Sequence, residues 1–277
     1  MARLDGFLLA AGLGTRMGPL SRVLPKPAWT LGGRPLLQWG AEDLRRAGFT
    51  RLGCNAHLHP GRLREAAGGL EVFEEPELLG SAGGLRHALG RTEGPLAVWN
   101  ADAVASVPWD RLRAAHRGLS RELDWLLVPH PGGPWTQVWL DAEDRVLPRG
   151  VAGRGPFHFT GASLWSEGAL ACIPEGPSEL APLLPGLDHL GVVVEPFPWR
   201  EIGTPGALRE AAAALAPEAE GRLPGCYVHP SARPFPGAAG RLRRCVLGPG
   251  AAPPAAVEDT DAFWFEEQGR QVRLAVP

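Results

Sequence analysis

The sequence contains almost no lysine. Of its 28 basic residues, 27 are arginine, and the remaining one is Lys26. Asparagine, isoleucine and methionine each occur twice, whereas glycine and proline are abundant. This composition is typical of a GC-rich coding sequence and suggests a thermophilic source, in which thermally labile residues are reduced. A single lysine either survives by chance on a solvated loop or meets a local need, because a compact ammonium approaches a phosphate differently from a planar guanidinium.

Cysteines are few and widely separated. The four thiols, at Cys54, Cys172, Cys226 and Cys245, form no C-x-x-C pair. A chain of 277 residues needs no disulfide staples, so we expect reduced thiols and a cytoplasmic protein.

Long hydrophobic runs and an excess of one charge are also missing. The run Phe7–Leu13 is short and broken by Gly12, and no segment approaches the roughly 20 apolar residues of a membrane span. The net charge of −2 provides no electrostatic footprint for nucleic acid or for an anionic membrane. Any anion that this protein binds must therefore be held locally.

Residues 1 to about 130 alternate short apolar strands with helical segments. Phe7–Ala11 and Leu96–Trp99 are continuous apolar runs, and apolar residues recur at helical spacing from Pro35 to Ala47. This alternation predicts an α/β fold with a doubly wound, mainly parallel sheet, in which ligands bind at the carboxyl ends of the strands. Between residues 131 and 200, proline and glycine interrupt the pattern, and we expect antiparallel additions.

The sequence changes character after Pro217. Val228–Ala232 (VHPSA) is echoed 19 residues later by Leu247–Ala251 (LGPGA), a spacing close to one coil of a hexapeptide-repeat β-helix. We therefore predict an α/β domain over residues 1–221 and a small β-helix-like appendage over residues 222–277. The appendage also suggests a homo-oligomer.

A glycine-rich motif follows the first strand. From Leu9 the chain reads LAAGLGTRMGPL and continues to LPKP at Leu24–Pro27. Glycines allow backbone N–H groups to approach an anion, and Arg16 and Lys26 add two charges. The spacing fits neither the dinucleotide-binding nor the P-loop pattern. The run closely resembles the opening of sugar-1-phosphate nucleotidyltransferases (G-x-G-T-R-x-x-P-L followed by P-K-P), and Leu31–Leu37 (LGGRPLL) matches the continuation of that family.

Three further segments fit the resemblance in the expected order. Leu79–Gly84 (LGSAGG) is similar to a segment whose backbone lies against the nucleobase and ribose. Asn100–Asp102 (NAD) and Glu201–Pro205 (EIGTP) are similar to segments whose acids bind Mg²⁺, a hard cation that prefers oxygen ligands. Asn55–Leu58 and Phe159–Ala162 resemble the bacterial group that is similar to mannose-1-phosphate guanylyltransferases. Taken alone, the glycine segment is also typical of a turn, and Asp102 of a cap.

The resemblance implies a set of site residues and one cofactor, Mg²⁺. The implied catalytic residues are Arg16, Lys26 and Asp102, the nucleotide-binding residues are Ala10, Ala11, Gly12, Gly14, Thr15, Arg16, Gly80, Ser81, Ala82 and Gly83, the sugar-binding residues are Asn100 and Gly161, and the Mg²⁺ ligands are Asp102 and Glu201.

The chain departs from the family pattern at three points. Ala101 replaces a glycine, Glu201 replaces an aspartate, and the second lysine that neutralises the sugar phosphate is missing. Arg149 and Arg154 are possible substitutes for that lysine. A metal site built on His57 and His59 with Cys54 lacks a second pair of ligands at suitable spacing.

We expect an enzyme that condenses a nucleoside triphosphate (NTP) with a sugar 1-phosphate and releases pyrophosphate. The departures leave a second hypothesis open, in which the protein is a non-catalytic regulatory homologue that binds nucleotide sugars. A third is transfer to another acceptor, such as a molybdopterin or an alditol phosphate, although the loop is long for the molybdopterin type.

For the nucleobase, Glu74, Glu75 and Glu77 could accept from guanine N–H groups or could be solvated.

Overall fold

The computed structural model describes residues 3–133, 135–215, 223, 226–238, 241–255 and 257–275. In chain order the strands are β1 (Leu4–Leu9), β2 (Thr30–Leu31), β3 (Arg34–Pro35), β4 (Leu52–Ala56), β5 (Glu71–Glu74), β6 (Thr92–Asn100), β7 (Ala103–Ala105), β8 (Glu122–Pro129), β9 (Val138–Leu140), β10 (Arg154–Trp165), β11 (Asp188–Val193), β12 (Trp199–Glu201), β13 (Tyr227–Val228), β14 (Leu242–Arg243), β15 (Val246–Leu247), β16 (Asp259–Thr260), β17 (Ala262–Glu267) and β18 (Arg270–Ala275). The α-helices are α1 (Leu36–Arg46), α2 (Pro60–Ala66), α3 (Gly80–Gly83), α4 (Trp109–Ala115), α5 (Glu167–Ala171) and α6 (Pro205–Leu215), and 3-10 helical segments cover Thr15–Arg22, Lys26–Ala28, Gly84–Ala88 and Leu184–Gly186.

A mainly parallel sheet forms the centre of the molecule. Its order is β11-β8-β10-β6-β1-β4-β5, and the pairs β1–β4, β1–β6, β4–β5 and β8–β11 are parallel. β10 runs antiparallel to β6, β8 and β9. The predicted doubly wound α/β fold is confirmed, and so are antiparallel additions after residue 131.

Helix α1 illustrates how the sequence produces this packing. Its apolar residues recur at helical spacing and are buried against the sheet, at Leu36, Leu37, Ala41 and Leu44. Gly40 lies on the same face, where a Cβ atom would be 2.7 Å from Trp99 Cδ1. The absence of a side chain therefore lets the helix approach β6 closely.

The C-terminal segment forms stacked coils. β13, β15 and β17 are parallel neighbours in which Tyr227 pairs with Val246, and Val246 with Phe263. The 19-residue repeat predicted from the sequence is the register of the first pair, since Val228 lies beside Leu247. β18 ends the stack as an antiparallel partner of β17. The predicted boundary between residues 221 and 222 lies outside the described residues, and self-association through the coils stays a prediction.

The coils pack on the α/β sheet. Tyr227, Val246, Phe263 and Phe265 belong to the same buried cluster as Trp29, and the Tyr227 hydroxyl lies 2.8 Å from Thr30 Oγ1. None of the helices described is long and apolar enough to cross a lipid bilayer.

Candidate active site

Two pockets open side by side at the carboxyl end of β6. The first, which we call the Lys26 pocket, measures about 400 Å³ and includes the loop that follows β1. The second, the His158 pocket, measures about 410 Å³ and is lined mainly from β10 and from the segments around β9 and β12. Asn100 and Asp102 line both pockets. A ligand in one pocket would therefore meet a ligand in the other at these two side chains.

Two ion pairs flank the junction of the pockets. Lys26 Nζ donates to Asp102 Oδ2, and Arg16 donates to Glu201 Oε1. The Lys26 side chain is 13% exposed, whereas the Arg16 side chain is 59% exposed. Four of the predicted charged residues therefore come together at one place, as two cation–carboxylate pairs.

A buried asparagine anchors the loop after β1. β4 pairs with β1, and from its position in β4 the Asn55 side chain accepts hydrogen bonds at Oδ1 from Ala10 N (2.6 Å) and Ala11 N (3.3 Å). Ala10 and Ala11 line the Lys26 pocket. Because their N–H groups already donate to Asn55, an anion in this pocket would be bound by other groups.

Gly12 and Gly14 serve the loop in different ways. Gly12 lines the Lys26 pocket, and beyond Gly12 and its two chain neighbours no heavy atom of the described residues lies within 4 Å of the position that its Cβ would occupy. Gly14 has a φ of 62°, in the left-handed region that favours glycine, and precedes the 3-10 segment that begins at Thr15. Gly14 and Thr15 thus shape the loop without lining the pocket.

Glu75 links Asn55 to the glycine segment. Asn55 Nδ2 donates to Glu75 Oε1 (2.8 Å), and Leu79 N donates to Glu75 Oε2 (3.1 Å). A Cβ atom on Gly84 would lie 2.6 Å from Glu75 Oε1 and would also collide with Asn55. Glu75 is 3% exposed and serves this link, so its carboxylate is not presented to a nucleobase.

The segment Gly80–Gly83 divides between the pocket and the interior. Gly80 and Ser81 line the Lys26 pocket. Ala82 N and Gly83 N both donate to the Ser178 carbonyl, at 3.1 and 3.2 Å. Ala82 and Gly83 are therefore held beneath the chain around residue 178 and do not line the pocket.

The His158 pocket is lined by Gly161 and by four ring-bearing side chains that we call the aromatic wall: Trp125, Trp135, His158 and Trp199. Gly161 has a φ of 93°, and a Cβ atom there would be 2.8 Å from Asn100 Nδ2. Trp135 packs against His158 and Trp199, with ring centroids 5.1 and 5.8 Å apart. The two residues predicted to bind a sugar, Asn100 and Gly161, are thus in contact on one side of the pocket.

The wall carries buried nitrogen atoms without partners. Within the described part of the chain, Trp125 Nε1 and Trp199 Nε1 have no hydrogen bond, whereas His158 interacts with the backbone of Thr136. Burial lowers the pKa of His158 below its usual range and His130 adds to this effect, while the Thr136 carbonyl and the Glu201 carboxylate oppose it. The imidazole is therefore neutral near pH 7, with one N–H donor.

Several expectations from the sequence are not met by the structure. Arg154 pairs with Asp144 beside another pocket, Arg149 is exposed, and neither lines the His158 pocket. The methyl group of Ala101 is buried in the hydrophobic core.

The two histidines that were weighed above as metal ligands, His57 and His59, each lie near a backbone carbonyl. His57 Nδ1 lies 2.9 Å from the Glu75 carbonyl, and His59 Nε2 lies 3.2 Å from the Ser21 carbonyl. The described residues contain one group with metal-ligand spacing, formed by His116, Glu122 and Asp124 near the start of β8.

Sequence reasoning missed the residues that support the site. Asn55 was noted within a family-like segment but given no role. Glu179 accepts a hydrogen bond from Ser81 Oγ, although the two residues are 98 positions apart in the sequence. Spacing cannot reveal partners at such separation. The aromatic wall likewise comes from distant segments, although ten tryptophans in 277 residues were a compositional signal.

Known proteins match this chain in sequence and in fold. The sequence profile of the MobA-like NTP transferase domain matches residues 6–149. An N-acetylmuramate alpha-1-phosphate uridylyltransferase of Neisseria meningitidis is 30% identical over 233 residues, which cover 76% of this chain and 97% of that protein. A mannose-1-phosphate guanyltransferase of Aspergillus oryzae is 31% identical over 125 residues, which cover 41% of this chain and 34% of that protein.

Among solved structures, HddC from Yersinia pseudotuberculosis in complex with GMP-PN has a TM-score of 0.64 and 20% identity, covering 76% of this chain and 99% of that one. This likeness supports the α/β fold. The sequence matches confirm the resemblance to sugar-1-phosphate nucleotidyltransferases: the chain is an enzyme that belongs to the MobA-like NTP transferase family.

Proposed function

We propose that the protein transfers a nucleotidyl group from an NTP to a sugar 1-phosphate, with the assistance of Mg²⁺, and releases pyrophosphate. The observation that carries this proposal is the junction of two pockets of similar size at Asn100 and Asp102. Such a junction suits two phosphorylated substrates whose phosphates must meet. In the Lys26 pocket we place the NTP, and in the His158 pocket the sugar.

The reaction is an in-line displacement at the α-phosphorus. A phosphate oxygen of the sugar 1-phosphate forms a bond to this phosphorus, and the bond to the oxygen that bridges to the β-phosphate breaks. Pyrophosphate leaves with the electron pair. Because the attacking oxygen is already ionised near pH 7, no general base is required, and catalysis rests on positioning and charge neutralisation.

The two basic residues supply that neutralisation. Lys26 is mostly buried next to Asp102, where a compact ammonium can stabilise charge around the α-phosphate. Arg16 is largely exposed, and exposed ion pairs contribute little free energy. Little free energy is therefore lost when Arg16 leaves Glu201 and pairs with the departing pyrophosphate.

Two carboxylates are suited to hold Mg²⁺. Glu201 in β12 lies opposite Ala103, and Ile202 N donates to the Asp102 carbonyl at 2.8 Å. Asp102 and Glu201 thus occupy adjacent positions, and their oxygens match the ligand preference of a hard cation. When bound, Mg²⁺ would neutralise phosphate charge.

Pyrophosphate release in the presence of Mg²⁺, each common NTP and a panel of sugar 1-phosphates tests the proposal. The names of the relatives make two pairs the first choices: UTP with N-acetylmuramate 1-phosphate, and GTP with mannose 1-phosphate. We expect release with at least one pair and its loss on chelation of Mg²⁺. No release from any pair, together with stabilisation by a nucleotide sugar, would instead support the non-catalytic regulatory protein.

Substitutions at the junction test the roles of the residues. We expect Lys26→Ala to lower kcat by roughly 100-fold or more, as for other groups that stabilise developing charge. The matched control is Arg22→Ala, which removes an exposed cation from the same loop and should leave kcat unchanged. Turnover of Lys26→Ala or Asp102→Ala within a few-fold of the wild type would contradict the assignment.

A further inference from the structure

The C-terminal coils contact the segment that carries Lys26. Lys26–Ala28 is a single 3-10 turn, and Trp29 follows it directly. The Trp29 side chain is fully buried. Its ring centroid lies 5.6 Å from that of Tyr227 and 6.3 Å from that of His229, and both of these residues belong to the coils. The coils therefore pack against a residue only three positions away from the lysine that lines the Lys26 pocket.

A glycine in the second coil allows this close contact. A Cβ atom on Gly248 would lie 3.1 Å from Trp29 Cη2, inside the optimal separation of about 3.5–4.0 Å between carbon atoms. The next residue along the chain is also held, because the Tyr227 hydroxyl lies 2.8 Å from Thr30 Oγ1. Trp29 and Thr30 are thus both fixed from the side of the coils.

The backbone between Trp29 and Lys26 is constrained. Trp29 N donates to the Lys26 carbonyl at 3.2 Å, and Ala28 N donates to the Pro25 carbonyl at 2.9 Å. Pro25 and Pro27 stand on either side of Lys26, and a proline ring fixes the backbone φ angle. A displacement of Trp29 would therefore move the backbone of Lys26 with it.

The Lys26 side chain needs such support because its stem is long. The ammonium reaches Asp102 at the end of a flexible four-carbon chain. Under the proposed function, on which this inference rests, the same ammonium must meet the charge that develops around the α-phosphate. A misplacement of about 1 Å in a group of this kind can lower the rate by roughly 100-fold.

We propose that the coils hold Lys26 in its catalytic position, and that Trp29 is the positioning residue through which they act. Among the described residues, those that line the Lys26 pocket and the His158 pocket all precede the coils. The coils therefore act on the reaction indirectly, through the packing of Trp29.

A double-mutant cycle tests this connection. Trp29→Ala removes the contact with the coils and should lower kcat by roughly tenfold or more, while KM for the NTP changes by less than about twofold, because the lost interaction acts in the transition state. In a Lys26→Ala background the same substitution should lower kcat no further, because the group on which it acts is missing. Trp29→Phe keeps a ring against Tyr227 and should recover part of kcat. Equal effects of Trp29→Ala in the two backgrounds would overturn the proposal.

Trp165→Ala is the matched control. The Trp165 side chain is also buried, at 2% exposure, but it belongs to a separate core cluster that contains neither Trp29 nor Tyr227. It should leave kcat unchanged when kcat is referred to the concentration of folded protein measured by circular dichroism. A comparable fall in kcat for both tryptophan variants would show a general loss of packing and would overturn the positioning role.

A second variant acts from the side of the coils. The methyl group of Gly248→Ala would press on the Trp29 ring, so this variant should lower kcat in the same sense as Trp29→Ala, again with little change in KM. It replaces Trp29→Ala in the cycle if that protein does not fold. An unchanged kcat for Gly248→Ala would contradict a role for the coils.

Nuclear magnetic resonance separates this inference from the proposed function. Because Lys26 is the only lysine of the sequence, protein labelled with ¹³C-lysine should give one ε-carbon signal, which can be followed without turnover. We expect its chemical shift to change in Trp29→Ala and Gly248→Ala and to stay the same in Trp165→Ala. An unchanged signal in the first two variants would overturn the inference. A changed signal in a protein that converts no acceptor would support the positioning of Lys26 and contradict the proposed function.

Discussion

Asn55 holds the loop after β1 without contributing to the chemistry. Its side chain accepts from Ala10 N and Ala11 N and donates to Glu75. Asn55→Ala should lower the free energy of unfolding by about 2 kcal/mol, because it leaves buried partners unsatisfied. It should also raise KM for the NTP more than it lowers kcat. Urea unfolding and steady-state kinetics check both, and an unchanged stability would contradict this role.

Asp124 gives the protein a pH dependence that is separate from the site. Burial raises the pKa of Asp124 from 3.8 to about 6, opposed by its hydrogen bond with His116 and reinforced by Glu122. Between about pH 4 and 6 the folded protein keeps a proton that the unfolded chain releases, so this group's contribution to the free energy of unfolding falls as pH rises.

Asp124→Asn should remove that dependence. The free energy of unfolding of the wild type minus that of the variant should decrease between about pH 4 and 6 and level off above. Urea unfolding of both proteins across this window measures the difference. A difference that stays constant or increases would show that Asp124 is already ionised.

At the scale of elements, substitutions at two glycines distinguish an effect on stability from an effect on nucleotide binding. Gly84→Ala places a methyl group against Glu75 and Asn55 and should cost about 1–3 kcal/mol of unfolding free energy. The methyl group of Gly12→Ala would meet no described atom within 4 Å beyond residue 12 and its two chain neighbours, so stability should change by less than about 0.5 kcal/mol. Its methyl group should instead raise KM for the NTP. Reversed effects would contradict the placement of the pocket.

The sequence predicted those elements whose signal is local. Apolar runs and helical spacing identified β1, β6 and α1, and the echo of Val228 at Leu247 identified stacked coils in their register. The glycine loop and Asn100–Asp102 were found through motifs of adjacent residues. The link from Asn55 to Glu75, the cover of Gly83 by Ser178 and the wall around His158 depend on contacts between distant segments, which no local pattern encodes.

At the scale of the whole molecule, the coils and the sheet share one hydrophobic core. The ionisation of Tyr227, which lies in this core, shows whether the coils are docked on the sheet. Tyr227 is the only tyrosine in the chain, and burial raises its pKa above the usual range, although its hydrogen bond with Thr30 opposes the shift. Tyrosinate absorbance should therefore stay absent above about pH 10, where exposed tyrosine ionises, and appear only with unfolding. Ionisation near pH 10 with unchanged circular dichroism would show that the coils are not docked.

The central claim is that an NTP and a sugar 1-phosphate react across the junction at Asp102. The most direct test follows α-³²P-labelled and γ-³²P-labelled NTP in parallel reactions with Mg²⁺ and the acceptor. The account predicts the α-label in a nucleotide sugar and the γ-label in pyrophosphate, with neither product formed without the acceptor. Release of the γ-label as inorganic phosphate, or no conversion with any acceptor, would contradict it.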